Sequence, residues 1–473
     1  MSSRDPWPGH AVVIGCSVSG LLAAWALANH FRRVTVFERD DLPAEPGFRP
    51  GTPQSRHAHV LLARGAQSME RMFPGLSEEL VSAGAIATEW PADTLTLTDY
   101  GWSPRFIGGV QSVSLTHQLL EWKLRQRLSA LAGIDFLGGF NCTGLLASRN
   151  FEKVTGVVLR PRAGAGPEVN LTADLVVDAS GRGSRAAGWL RDIGHEPPRE
   201  ARIESSLGYA SRFYAPPAGF DADWKAIYLG RKHPENLRSG ILVPVERGRW
   251  LVTLTGRDDA VPSTDEAAFL DFARRLRSPV LYDALREAEP LTPVWGFRRT
   301  QNVRRHYEAM RRRPEGFIVV GDAACAFNPL YGQGTTVAAL GAETLDSCLR
   351  EQRRHTPAGD LAGFSSLFQR RLAITSMPAW RVATSGDLKR QGTGSAGGVV
   401  KRLQRRYLEA VFAVALENRE VSLATLRVLH MLSPPTSLLQ PAVTARVLRG
   451  LRRSTPPAGP VPPPPRRHLA QVD

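Results

Sequence analysis

Three small residues near the start of the chain have the spacing of a dinucleotide-binding turn. Gly15, Ser17 and Gly20 follow an apolar run at 10–14 and precede an Ala- and Leu-rich stretch at 21–30. The first glycine permits a tight turn, the last permits close packing of helix on strand, and the first amides of the helix bind a diphosphate. Ser17 takes the middle position, where glycine is usual. The pattern predicts a parallel strand, a phosphate-binding turn and a helix.

An acidic residue follows at the distance that this turn requires. The apolar run at 34–37 ends at Glu38, about 20 residues beyond the glycines, where a carboxylate hydrogen-bonds the adenosine ribose. A carboxylate there disfavours a 2′-phosphate, so the pattern indicates FAD or NAD rather than NADP. A chance glycine pattern in a surface loop is the alternative, but strand, turn, helix, strand and acid all occur in order.

A second candidate site lies near residue 320. Residues 316–320 form an apolar run, and the carboxylate of Asp322 just beyond it can accept a hydrogen bond from a ribityl hydroxyl of a flavin. Pro329 fixes a bend, and the sequence Gly-Gln-Gly at 332–334 lets bare backbone approach a ligand. A helix predicted from Thr335 onward directs its N-terminus at the flavin, where the helix dipole stabilises negative charge on the reduced ring.

A third segment makes the pattern specific. Residues 174–184 read Asp-Leu-Val-Val-Asp-Ala-Ser-Gly-Arg-Gly-Ser, again strand, acid and glycine turn. The three segments together resemble the signatures of the FAD-dependent monooxygenases related to aromatic hydroxylases and squalene epoxidase. Four further segments resemble the bacterial epoxidases of polyether-antibiotic biosynthesis: 51–61, 100–102, 208–213 and 326–332. The resemblance runs from about residue 10 to about residue 450.

The resemblance implies an α/β fold in three parts. A Rossmann-like FAD-binding domain of the glutathione-reductase type is discontinuous, and a β-sheet substrate domain is interleaved with it. A helical C-terminal region and a proline-rich tail, predicted to be disordered, follow. The predicted bounds are 10–65, 110–200 and 300–350 for the FAD-binding domain, 66–109 and 201–299 for the substrate domain, 351–453 for the helical region and 454–473 for the tail.

The resemblance also implies a set of cofactor-binding positions. His117 stands where relatives often have arginine, and Gln333 stands where some have histidine. Four aromatic residues are candidates for the substrate pocket, although each is as typical of plain core: Trp102, Phe213, Trp295 and Phe327. The cofactor-binding positions are Gly15, Ser17, Val18, Ser19, Gly20, Glu38, Arg39, Arg56, Arg125, Asp322, Pro329, Gly332, Gln333 and Gly334.

The implied reaction is transfer of one oxygen atom from O2 through a C4a-hydroperoxyflavin, most simply to a C=C bond of a large apolar polyketide or terpenoid. Epoxidation needs no protein nucleophile, so no catalytic side chain is predicted. An aromatic or polyketide hydroxylase and an isoprenoid reductase or dehydrogenase are enzymatic alternatives, and a flavin- or carrier-protein-binding component is a non-enzymatic one. A flavin halogenase is disfavoured, because the chain has no Trp-x-Trp-x-Ile-Pro stretch.

Composition bounds the partners. No second dinucleotide fingerprint occurs, so electrons are expected from NAD(P)H docked transiently or from a separate flavin reductase. The net charge of +15 permits an acidic carrier protein or weak membrane-surface contact, but no nucleic-acid-binding motif accompanies it.

Four scattered cysteines, the lack of a signal pattern and the lack of a long apolar run predict a cytoplasmic protein with no transmembrane segment. His57 and His59, predicted on one face of a strand, lack a nearby third ligand, so no metal site is predicted.

Overall fold

The largest hydrophobic core is built around a five-stranded parallel sheet. The computed structural model describes residues 7–162, 166–232, 234–356, 359–390 and 399–450. Its helices are α1 (Val18–Ala28), α2 (Ala63–Met72), α3 (Leu76–Ser82), α4 (His117–Ser129), α5 (Ala186–Asp192), α6 (Glu266–Arg274), α7 (Val280–Leu285), α8 (Gly334–His355), α9 (Phe364–Arg390), α10 (Val399–Val414), α11 (Arg419–Leu429) and α12 (Pro441–Gly450).

The strands are short, and most are rich in β-branched or aromatic residues. They are β1 (Trp7–Ile14), β2 (Phe31–Phe37), β3 (Val60–Leu61), β4 (Ile86–Trp90), β5 (Thr94–Thr98), β6 (Gly101–Trp102), β7 (Val110–Ser114), β8 (Ile134–Leu137), β9 (Phe140–Ala147), β10 (Val154–Pro161), β11 (Val169–Thr172), β12 (Leu175–Asp178), β13 (Glu200–Ile203), β14 (Leu207–Ala215), β15 (Ala226–Leu229), β16 (Ser239–Val245), β17 (Arg249–Arg257), β18 (Glu289–Pro290), β19 (Trp295–Phe297), β20 (Asn302–Arg305), β21 (Phe317–Val319) and β22 (Cys325–Ala326).

The parallel sheet has the order β21-β12-β1-β2-β8. Its central strands are buried on both faces, as their continuous apolar runs require. Ala11 pairs with Leu175 on one side of β1 and with Val34 on the other. Because all five strands run the same way, the loops that follow β1, β2, β12 and β21 emerge at one edge, which is where such sheets bind ligands. This confirms the predicted α/β fold with a Rossmann-like sheet.

A second sheet faces these loops. Eight strands form it in the order β18-β14-β17-β16-β15-β5-β6, with β19 beside β14. Its pairs are antiparallel except β15 with β5. Alternate residues of β14 point to opposite faces: Ala210 and Tyr214 pack in the core under α6 and α7, whereas Phe213 packs in a separate cluster on the other face.

Two predicted features differ from the structure or lie outside it. The predicted substrate domain included 66–109, but Met69 of α2 and Leu80 of α3 pack in the core of the parallel sheet, because amphipathic α2 lies against α8. The predicted tail, 454–473, lies outside the described residues, as do 451–453.

Candidate functional site

Glycine is required at two positions of the first turn. Gly15 has φ +102°, and a Cβ there would lie 2.8 Å from the carbonyl oxygen of Ala179 in the loop after β12. A Cβ on Gly20 would lie 1.9 Å from the carbonyl oxygen of Gly15. These contacts hold α1 tightly on β1 and bring the loops after β1 and β12 together, as the fingerprint predicts.

Two helix N-termini at this edge are free of capping side chains. α1 begins at Val18 and α8 at Gly334, and neither Ser17 nor Gln333 in the cap position makes a side-chain cap hydrogen bond. Neither helix has an acidic residue in its first turn. Gln333 Oε1 and Thr336 Oγ1 are buried without a hydrogen-bond partner in the described part of the chain. Unpaired amides with a positive dipole are suited to an anionic ligand.

Asp322 follows β21 at the same edge. Its side chain is 41% exposed, yet protein surrounds it closely enough that burial raises the pKa of the carboxyl, against the opposing charges of Arg182, His59 and Arg305. Both observations describe a carboxyl that lines a cleft rather than an open surface. Its nearest cation is Arg182, whose Nε lies 3.4 Å from Oδ2.

The third sequence motif, residues 174–184, connects neighbouring loops through side-chain hydrogen bonds. Asp178 is fully buried and accepts hydrogen bonds of 2.5 Å from the hydroxyls of Ser180 and Ser184. The guanidinium of Arg182 donates to the backbone carbonyls of Gln301, at 2.7 Å, and of Phe327. The motif therefore joins the loop after β12 to the residues just before β20 and just after β22.

Glu38 lies at the end of β2 as predicted, but its oxygens already have partners. Oε2 accepts from the amide of Cys16 at 2.9 Å and lies 3.1 Å from Nη1 of Arg49, while Oε1 accepts from the amide of Arg39. Sequence reasoning missed Arg49, whose Nη2 also pairs with Glu121 of α4 at 2.5 Å. A carboxylate with this many partners has little capacity left for a ribose hydroxyl.

The three predicted arginines lie in different surroundings. Arg39 is exposed, and buried Arg125 donates to the backbone carbonyl of Pro43. Arg56 lies instead against the second sheet, with its guanidinium 5.2 Å from the ring centroid of Trp295 and 5.5 Å from that of Phe48.

The glycines after Pro329 differ in the space around them. Gly332 has φ +63°, and a Cβ on it would lie 3.3 Å from Cβ of Val60. A Cβ on Gly334 would meet nothing within 4 Å. The backbone at Gly334 therefore borders open space, which suits the predicted approach of a flavin ring.

The structure brings together only part of the predicted substrate pocket. Phe213 and Trp295 are in contact, with ring centroids 6.0 Å apart, and Phe48 joins them. Trp102 packs in the core on the opposite face of the sheet, and Phe327 packs with residues of α8 and α9. The sequence could not separate these aromatics, because the face that each side chain occupies depends on strand register.

His57 and His59 do not lie on one face of a strand as predicted. Strand β3 starts only at Val60, so both histidines precede it. Their rings face different elements. His57 Nδ1 lies 2.7 Å from Ser211 Oγ of β14. His59 Nε2 donates to the carbonyl of Gln54 at 2.9 Å, and its ring lies 5.0 Å from that of His117. Within the described ranges no group of three metal-ligating side chains is found, and no helix is long and apolar enough to cross a membrane.

The donor set fits FAD in its main features: two uncapped helix N-termini, an accessible carboxyl at Asp322 and open backbone at Gly334. The amides of 18–20 would bind the diphosphate, Asp322 a ribityl hydroxyl, and 332–334 the ring system. Glu38 fits less well, because its carboxylate oxygens already pair with the amides of Cys16 and Arg39 and with Arg49.

The chain is similar to several known proteins. No protein-family model matches it. Protein Rv3254 of Mycobacterium tuberculosis is 36% identical over 391 residues, which cover 80% of each chain. Kynurenine 3-monooxygenase of Salinispora arenicola is 27% identical over 350 residues, 72% of each chain.

Two solved structures share the fold at low sequence identity. The flavin-dependent brominase Bmp2 superimposes with a TM-score of 0.65 at 14% identity, over 95% of this chain and 99% of that one. PqsL, a probable FAD-dependent monooxygenase from Pseudomonas aeruginosa, superimposes with a TM-score of 0.59 at 17% identity, over 88% of this chain and 99% of that one. The arrangement of sheets and helices is therefore that of FAD-dependent monooxygenases and halogenases.

Proposed function

We propose that this chain epoxidises an electron-rich C=C bond of a large apolar substrate. It belongs to the family of Protein Rv3254 and, by its fold and motifs, to the FAD-dependent monooxygenases. One oxygen atom of O2 enters the product and the other leaves as water. The two electrons come from NAD(P)H, either directly or through a separate flavin reductase. Polyketides and terpenoids offer such bonds.

The observation that carries the proposal is that Asp322 lies beside two helices with uncapped N-termini. A Cβ on the preceding Gly321 would lie 2.3 Å from Ser19 Oγ in the first turn of α1, and α8 contacts 321–323. FAD bound there supplies the activation of O2, and the protein supplies binding, orientation and exclusion of water. The N-terminus of α8 would stabilise negative charge on a ring system bound there.

The second sheet supports an apolar substrate. Phe213, Val243 and Leu251 form a buried cluster on the sheet face that carries Ser211, the residue in contact with the His57 ring. Tyr209 on the same face donates from its hydroxyl to Oδ1 of Asn328 at 3.1 Å. A substrate held between this face and the loop 328–334 would lie beside the flavin in apolar surroundings, where reactive oxygen species are shielded from water.

Hydroxylation of an aromatic ring is the second candidate. The similarity to kynurenine 3-monooxygenase favours it, and so does the imidazole of His57 in this apolar wall. Both reactions consume the same reactants, so they differ only in the substrate group that receives the oxygen.

The test uses FAD-loaded protein, NADPH with or without a flavin reductase, and ¹⁸O2. Candidate polyenes and aromatic compounds are supplied, and the products are analysed by mass spectrometry. One ¹⁸O atom per product supports the proposal, and NMR of the product separates an epoxide from a phenol. A product that differs from the substrate by two hydrogens and carries no ¹⁸O would instead identify a reductase or dehydrogenase.

A further inference from the structure

His57 occupies the contact between the two halves of the proposed site. It follows the short 3-10 helix Pro53–Arg56 and is buried, with 7% of its surface exposed. Its ring centroid lies 5.3 Å from that of Phe297 in β19 and 6.2 Å from that of Tyr209 in β14. Tyr209 is the residue whose hydroxyl reaches Asn328 in the loop before Gly332. The imidazole therefore lies in an aromatic wall next to the proposed flavin loop.

One ring nitrogen of His57 is held by a chain of hydroxyls. Nδ1 lies 2.7 Å from Ser211 Oγ, and Ser211 Oγ lies 2.7 Å from Thr253 Oγ1. Thr253 Oγ1 also accepts from the amide of Ala58 at 2.9 Å. This chain fixes the plane of the ring. Because a hydroxyl can donate or accept, the chain is compatible with a proton on either ring nitrogen.

The other ring nitrogen, Nε2, lies in different surroundings. Nε2 of His57 has no hydrogen-bond partner among the described residues, and it is not among the fully enclosed polar atoms, unlike the unpartnered Nδ1 of His30 and of His195. Half-buried His10 differs from His57, because both of its ring nitrogens pair within the protein, with Thr172 and with Thr35.

The ring is neutral under ordinary conditions. Burial lowers the pKa of His57 to about 3, assisted by the nearby charges of His59 and Arg56. The hydroxyl of Ser211, the partner of Nδ1, can either donate or accept a hydrogen bond. The neutral imidazole can therefore present Nε2 either as an N–H donor or as an acceptor. It can therefore pair with a hydroxyl or with a carbonyl, but it does not supply a permanent positive charge.

We propose that Nε2 of His57 binds a hydroxyl or carbonyl oxygen of the substrate, so that the site selects aromatic or polyene substrates that carry one polar oxygen over pure hydrocarbons. This inference rests on the proposed function, since it assumes that the substrate lies between the second sheet and the loop 328–334. His57 is a specificity-determining contact here, and oxygen transfer does not depend on its titration.

The experiment measures binding of three probes to FAD-loaded protein by calorimetry: 1-naphthol, 1-methoxynaphthalene and naphthalene. Wild type is expected to bind 1-naphthol about tenfold more tightly than naphthalene, the factor expected from one added hydrogen bond. 1-Methoxynaphthalene can only accept, so it shows whether Nε2 acts as a donor.

Two matched variants locate the contact on the ring. Asparagine in His57→Asn places an amide near the position of Nδ1, and glutamine in His57→Gln places one near the position of Nε2. Both lose the ring equally, but only His57→Gln is expected to keep the preference for 1-naphthol. Bound-flavin absorbance and circular dichroism confirm that each variant is folded and loaded.

Either of two results would overturn the proposal: no preference in wild type, or a preference that survives in His57→Asn. The wild-type comparison stands even if a variant does not fold. Failure of the proposed function is visible separately, as absence of retained FAD or of ¹⁸O transfer in the same preparations.

Discussion

At the scale of single residues, the polar groups of the motifs fall into two kinds. Asp178 and Glu38 have their carboxylate oxygens occupied by other parts of the protein. Asp322, Gln333 and the first amides of α1 and α8 are accessible or unpartnered. Since buried polar groups are normally paired, the second kind is where a ligand is expected to bind. The two kinds predict different effects of mutation.

Glu38→Gln and Asp322→Asn should separate stability from cofactor binding. Glu38→Gln removes one counter-charge of buried Arg49, so we expect the free energy of unfolding to fall by about 1–3 kcal/mol. Asp322→Asn removes a half-exposed carboxylate whose nearest cation, Arg182, keeps its hydrogen bonds to two backbone carbonyls, so we expect FAD affinity to fall about tenfold with little loss of stability. Urea unfolding and FAD titration measure the two effects, and the reverse assignment would contradict this division.

Gly334→Ala tests the open space beside the loop. A Cβ there meets no protein atom within 4 Å, so unfolding stability should hold or rise by about 0.4–1 kcal/mol. If the flavin occupies that space, the methyl group should weaken FAD binding about tenfold or more. Gly188→Ala in α5 is the control, because its Cβ also meets nothing within 4 Å and α5 packs against β9. Equal FAD affinity in both variants would place the flavin elsewhere.

The sequence predicts residue roles where the cause is local. Gly15, Gly20 and Asp322 are recognisable because a tight turn or a strand end dictates them. Arg49 could not be found this way, because its partner Glu121 is 72 residues away and only the tertiary fold brings them together. The same limit applies to His57 and Ser211, which are 154 residues apart.

At the scale of elements, periodicity predicts where helices and strands lie better than which face is covered. Alternating apolar and polar residues predict strands at 207–214, 226–229, 240–245 and 249–255, and β14 to β17 lie within two residues of these bounds. Apolar residues at helical spacing predict a helix over 401–417, which corresponds to α10. Two residues of the apolar face that this spacing predicts, Leu403 and Leu408, are 59% and 43% exposed. The neighbouring helices cover only the stripe around Val411, and no local pattern shows how far a partner reaches.

Helix α8 is joined to the turn between α1 and β2 by the carboxylate of Asp346, whose charge should make the free energy of unfolding depend on pH. Burial alone would raise the pKa of Asp346, but hydrogen bonds from His30 and Asn29 and the charge of Arg350 lower it below its ordinary value. A group with a depressed pKa stabilises the fold above its unfolded pKa, and that contribution is lost as pH falls through the folded pKa.

Asp346→Asn should therefore cost about 1–3 kcal/mol at pH 7, and the difference from wild type should shrink as pH falls below about 4. Urea denaturation at pH 7, 5 and 3 measures the difference. Asp283→Asn, which changes an exposed carboxylate in α7, is the control and should show little change at any pH. A difference from wild type that stays constant down to pH 3 would show that the charge of Asp346 does not stabilise the helix.

At the scale of the whole molecule, the sequence orders the parts correctly but does not show how they touch. The two sheets meet through buried contacts between distant segments, such as Thr116 Oγ1 with Glu246 Oε1 at 2.6 Å. The predicted acidic carrier protein and membrane-surface contact rest on the net charge of +15 and stay predictions. Charge alone does not distinguish a partner from a solvated surface.

These contacts predict that the two sheets unfold together. Glu246 is buried just after β16 and accepts hydrogen bonds from both the amide and the hydroxyl of Thr116, the N-cap residue of α4. If either sheet unfolded alone, the carboxylate of Glu246 and the polar groups of Thr116 would lose these partners. Hydrogen exchange measured by mass spectrometry across a urea series should give one midpoint for peptides of β1 and β12 and for peptides of β16 and β17. Glu246→Ala should lower both midpoints by the same amount, whereas Glu287→Ala, which changes an exposed residue, should leave them in place. If the second sheet exchanges at lower urea than the first in wild type, the interface is too weak to couple them, and closure of the site would then depend on bound substrate or cofactor.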